Sequence, residues 1–118
     1  MRKNITLEKS YNFALRIIRL CKYLNERRDE YIISKQVLYT GTNIAAFVEE
    51  AQQANDRDDF AKSLSSANKN AYKTHFWLRL LKDGDYLGDE MFDSIIADCE
   101  ELQKILVSSL KTTRATIN

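Results

Sequence analysis

Apolar residues return every three or four positions in four stretches of this chain, and short polar segments separate the stretches. That period belongs to a helix with one face turned inward. In the first stretch Phe13, Ile17, Leu20 and Leu24 mark the stripe, which predicts a helix over about 6–27. Tyr11, Ala14, Leu15, Ile18 and Cys21 carry the apolar surface further round, to an arc of roughly 220°, where a surface helix needs only about 100°. A helix with so wide an apolar arc touches more than one neighbour. Tyr11, Leu15 and Ile18 are therefore candidates for an interface between copies of the chain.

The second helix is expected over about 34–54, with Ser34 as an N-cap whose hydroxyl accepts from a first-turn amide. Its stripe reads Val37, Gly41, Ile44, Val48, Ala51. A glycine inside a helix costs about 1 kcal/mol relative to alanine, so Gly41 points to close approach of another helix. The third helix is expected over 57–82, capped by Asp56. Phe60, Leu64, Ala67, Ala71, Thr74, Leu78 and Leu81 alternate in fours and threes, a heptad seam. Gly84 is read as its left-handed C-terminal cap. Phe92, Ile95, Cys99, Leu102 and Leu106 place the fourth helix over 89–112, and beyond Thr112 the period is lost and the chain is expected to fray. There is no proline to break any helix. Four such helices with short connectors predict a single all-α domain over 1–118, an antiparallel up-down-up-down four-helix bundle.

Composition adds little until charge is laid along the chain. The net charge is only +1, yet residues 1–40 hold nine basic residues against four acidic ones. The third helix adds Lys62, Lys69, Lys73, Arg79 and Lys82 with no acid after Asp59, and 83–101 holds eight acids and no base. One reading is complementary solvated faces on neighbouring helices. The other is a basic surface for RNA or an acidic protein, with Arg16, Arg19, Lys22, Lys62, Lys69 and Lys73 as its candidate residues. The aromatic residues Tyr11, Tyr72, Phe76 and Trp77 read first as core or interface and second as platforms for bases.

Catalytic patterns are missing. His75 is the one histidine, Glu49 and Glu50 point about 100° apart, and neither a phosphate-binding glycine loop nor a nucleophile elbow occurs. A di-iron bundle needs Glu-x-x-His on two helices, and none is present. No catalytic residue, metal ligand or cofactor is assigned. Cys21 and Cys99 lie on apolar stripes and read as reduced core thiols, with a disulfide between them as the alternative. No apolar run nears the ~20 residues of a membrane span, and the opening 1–9 does not read as a signal peptide. A cytoplasmic protein is expected, with no membrane partner.

Ordered motifs run through most of the chain: Ser10-Tyr11-x-Phe13-Ala14; Gln36-Val37-Leu38 with Thr42-Asn43-Ile44-x-Ala46 and Glu50-Ala51; Asp59-Phe60 with Lys62, Ala67, Thr74 and Trp77-Leu78; Glu101-Leu102 with Ile105-Leu106. As a set, over about 7–112, they resemble the four-helix bundle proteins encoded by intervening sequences in bacterial 23S rRNA genes. Tyr39-Thr40, Phe47 and Lys73 depart from that pattern, which has Arg-Ser, asparagine and usually glutamate there. The resemblance implies a homo-oligomer, a ring of five bundles. It also implies kinship with the accessory variability determinant of diversity-generating retroelements, a basic pentamer that binds nucleic acid and a reverse transcriptase. The function expected is a non-enzymatic oligomeric module that binds RNA or a ribonucleoprotein. The alternative is a protein-interaction scaffold without nucleic-acid affinity.

Overall fold

The computed structural model describes residues 4–117; Met1, Arg2, Lys3 and Asn118 lie outside the described residues. Four helices follow in order, α1 (Ile5–Arg28), α2 (Ile33–Ala51), α3 (Arg57–Asp83) and α4 (Asp89–Ile117), with no strand among the described residues. They form the all-α four-helix bundle expected from the periodicity. Each helix packs on its sequence neighbour, α2 on α3 most extensively, and α4 closes the bundle loosely on α1. The diagonal pairs, α1 with α3 and α2 with α4, do not approach each other closely.

The core is the set of stripes read from the sequence. Ile17, Leu24, Val37, Ile44, Val48, Leu78, Leu81, Leu102 and Leu106 are buried almost completely. Burying such side chains stabilises the fold by about 1.5–3 kcal/mol each. Gly41 sits where expected. A Cβ added to it meets Ile17 Cγ1 at 2.8 Å and Cγ2 at 3.0 Å, so the missing side chain is what lets α1 and α2 close. Thr74 crosses the α2–α3 interface to donate to the Thr40 hydroxyl at 2.9 Å, which sets the register of the two helices.

Both cysteines are buried free thiols on separate interfaces. Cys21 donates to the Ser34 carbonyl between α1 and α2, and Cys99 to the Ala71 carbonyl between α3 and α4. Burial, with the Glu30 charge, pushes the Cys21 pKa up to about 11. Burial, with Glu100 and Asp98, pushes that of Cys99 up to about 12. Each stays protonated and poorly nucleophilic at neutral pH.

Helix ends differ from the sequence reading at four places, each for a local reason. Ser34 is not the cap of α2. It lies inside the helix, and its hydroxyl donates to Asn25 and to the Glu30 carbonyl. The cap is the Glu30 carboxylate, 6% exposed. It accepts from the amides of Ile32 (3.1 Å), Ile33 (3.0 Å) and Ser34 (2.7 Å). α2 stops at Ala51 rather than 54, because residues 52–54 tighten into bonds reaching back three residues and the Gln52 carboxamide donates to the Val48 carbonyl. Gly84 is not left-handed (φ −84°); Asp85 takes φ 68° instead. The Tyr86 amide then reaches Leu81 at 2.8 Å, the six-to-one bond of a helix-ending motif shifted one residue past the glycine. Arg28 holds this turn, donating to the Asp85 and Tyr86 carbonyls from the end of α1. Finally, α4 runs on to Ile117 instead of fraying at Thr112. Extending a formed helix fixes one residue per hydrogen bond, and the segment contains no proline or glycine to stop it. The caps at Asn4 and Asp56 accept from Leu7 and Asp59 in the ordinary way.

Candidate functional site

The charged residues of α1 and α4 meet across the loose seam between them. Lys9 bonds Glu101 at 2.5 Å, and Arg16 bonds Asp98 at 2.7 Å together with the Ser94 carbonyl and hydroxyl. The hydrogen bond and charge of Glu101 raise the Lys9 pKa above its ordinary value. Of the two readings of the charge layout, complementary faces therefore describes this seam. It also takes Arg16 out of any free basic stripe. Shallow grooves of about 320 and 280 Å3 flank the seam, and Arg16 and Arg19 line both.

The remaining candidate cations divide by helix. Arg16, Arg19 and Lys22 step round α1 by about 60° at each three-residue interval and form no single row. Lys62, Lys69 and Lys73, at spacings of seven and four, lie along one outer face of α3. Lys62 is paired with Asp58 at 3.4 Å, whereas Lys69 and Lys73 make no ion pair among the described residues. Because α1 and α3 are diagonal, the two sets face different sides of the molecule.

The apolar candidates stay uncovered in the single chain. Tyr11 is 58% exposed, and Leu15 and Ile18 are both more than a third exposed, on the side of α1 away from Arg16. A second apolar surface lies across the bundle. Phe76 and Leu80 continue the lysine row on α3, and Tyr39 stands out from α2 at the level that the Thr40–Thr74 bond fixes. Phe76 stacks edge-on against the half-buried Trp77, with ring centroids 5.0 Å apart.

A third feature was not read from the sequence. A groove of about 700 Å3 runs between α3 and α4, lined on α3 by Tyr72, His75 and Arg79 and on α4 chiefly by Gln103, Lys104, Val107 and Lys111. Arg79 Nε donates to His75 Nδ1 at 3.1 Å, which leaves Nε2 as the ring's donor, and its guanidinium lies over the Phe76 ring. The spacings that put Tyr72, His75 and Arg79 in one row, and Lys104 and Lys111 in another, are plain in the sequence. That the two rows face each other is not. No group of three or more residues suited to holding a metal ion occurs among the described residues, and no helix there is long and apolar enough to cross a membrane.

Comparison with known proteins places this geometry. No curated protein matches the chain. A crystal structure from Bacteroides thetaiotaomicron, described as a protein of unknown function from the S23 ribosomal protein family, is 41% identical. It superposes with a TM-score of 0.89 over 91% of this chain and 99% of its own. The family model for the 23S rRNA-intervening sequence protein matches residues 2–108. The chain, with its four-helix bundle and the motifs that carry it, belongs to the 23S rRNA-intervening sequence protein family.

Proposed function

We propose that this protein is a non-enzymatic module that assembles with copies of itself and holds RNA on the basic outer surface of α3. The observation that carries the assembly is the pair of apolar faces on diagonal helices, Tyr11–Leu15–Ile18 on α1 and Phe76–Leu80 on α3. A two-fold contact through one face leaves the other in water. A head-to-tail contact covers both and closes into a ring when its rotation permits. Five copies is the number the family resemblance implies. On α3 the lysines occupy the 62–73 part of the face and the apolar patch only its 76–80 end, so a ring closed through the patch still presents Lys62, Lys69 and Lys73. Repeating them strengthens a field that one chain, with a net charge of +1, does not generate.

Light scattering at micromolar concentration is expected to give a mass close to five times the 13.7 kDa protomer. The Leu15→Asp/Ile18→Asp variant is expected to give the protomer mass with its helical circular dichroism intact, since both side chains are partly exposed. A 13.7 kDa species from the unaltered chain removes the ring.

For RNA, retention on a filter at low salt is expected to fall steeply as salt rises, since each phosphate contact releases counterions. Lys69→Glu/Lys73→Glu is expected to weaken retention at least tenfold. Absence of retention at every salt concentration removes the RNA reading. The scaffold reading gains if the apolar faces instead capture one protein partner in a nuclease-insensitive manner.

A further inference from the structure

We infer that the α3–α4 groove receives an unpaired segment of RNA, with a base stacked on Tyr72 and the backbone held by Arg79, Lys104 and Lys111. The inference rests on the RNA reading and names the form of RNA and the site that selects it. Three observations carry it.

The first is charge. Three cations line the groove against one carboxylate, Glu100, so the ligand it suits is an anion. The second is the aromatic ring. Tyr72 lines the groove and is 56% exposed, so its ring is open to a ligand. A base presents its flat face to such a ring only when it is free of a duplex stack, which is how single strands are held without sequence preference. The third is continuity. Lys69 and Tyr72 are three residues apart on α3 and so are surface neighbours. Tyr72 therefore joins the outer lysine row to the groove, and a strand leaving the groove past Tyr72 meets Lys69 and Lys73.

Size agrees with a short unpaired segment. The α4 wall from Glu100 to Lys111 rises about 16 Å at ~1.5 Å per residue, room for only a few nucleotides. The polar groups between the cations suit base edges. Gln103 offers both donor and acceptor, Ser108 a hydroxyl, His75 its Nε2 proton, and Glu100 accepts from an exocyclic amine. Arg79 is held in advance by His75 and Phe76, which lowers the entropy lost when it binds a phosphate.

The test is fluorescence anisotropy of the full chain with two labelled probes. One is a short adenine–cytosine repeat RNA, which cannot pair with itself, and the other is a duplex RNA of the same length. The repeat is expected to bind about tenfold more tightly than the duplex. Tyr72→Ala is expected to weaken the repeat about tenfold and leave the duplex unchanged. Arg79→Ala and Lys104→Ala are each expected to lower the salt slope for the repeat by about 0.7. All three positions are at the surface, so circular dichroism of the variants is expected to match the parent.

Equal binding of both probes, with Tyr72→Ala affecting neither, overturns the groove while Lys69→Glu/Lys73→Glu still reports on the RNA reading. Failure of both probes to bind ends both. A polyglutamate peptide that displaces the repeat at lower concentration than unlabelled repeat also overturns the inference, because it assigns the groove to an acidic protein segment.

Discussion

Glu30→Ala is expected to destabilise the bundle by about 3 kcal/mol. The carboxylate takes three amides at the start of α2, a place where backbone donors have no partner within the helix. It also sets a negative charge at the positive end of the helix dipole. A lost cap costs about 0.5–2 kcal/mol, and a hydrogen bond to a charged group contributes about 1.5–3. The Ile32 amide can turn to water after truncation, but that of Ser34 is buried and keeps its full penalty. The effect should therefore concentrate there, with the amides of Ile33 and Ser34 losing protection from hydrogen exchange first. Glu30→Gln retains an acceptor and is expected to lose about 1 kcal/mol. Ser34→Ala removes only the hydroxyl bonds to Asn25 and Glu30 and is also expected to lose about 1 kcal/mol. Urea unfolding of the three variants measures the order. If Ser34→Ala proves the costliest, the assignment of the cap to Glu30 is wrong.

Gly41→Leu is expected to be more damaging still, at about 3 kcal/mol or more, a large part of the ~5–15 kcal/mol that a domain has. The first added atom already falls within 2.8–3.3 Å of three atoms of Ile17. Ile17 is fully buried, and its branched side chain has one favoured rotamer in a helix. It cannot swing aside, so α1 and α2 must separate. Gly41→Ala sets a gain of about 1 kcal/mol in helix propensity against the same clash. A small net loss is expected. The decisive measurement is the double-variant cycle with Ile17→Ala. That change alone leaves a cavity costing about 2–5 kcal/mol. In the Gly41→Leu background it removes the two closest obstructing atoms, Cγ1 and Cγ2, so the two losses should fail to add by at least about 1 kcal/mol. Additive losses would falsify direct contact as the cause.

Much of the architecture is legible in the residues. The heptad seam of α3, the Gly41 approach and the Asp56 cap are local statements, because helical period, glycine size and cap chemistry are properties of neighbouring positions. The misread ends have a different character. Ser34 and Gly84 are each the best-known residue type for the role assigned to them. Glu30 reaches the free amides from only two to four residues ahead of them, a local signal weaker than that of a serine at a helix start, whereas Arg28 supports the turn at Asp85 and Tyr86 from a separate segment. Residue preference cannot register a partner that arrives from elsewhere in the fold.

The same division applies to the surfaces. From the sequence come four amphipathic rods, the excess of apolar surface on α1 and the opposite charge of α1 and α4, since each depends only on spacing along one helix. Which rods touch was decided by the tertiary structure. It spent Lys9 and Arg16 on α4, set the basic sets of α1 and α3 on diagonal helices, and brought Tyr72 and Arg79 to face Lys104 and Lys111. Helical periodicity fixes the angle of a side chain about its own axis, but the rotation of one helix against the next is settled only when all four stripes are buried together.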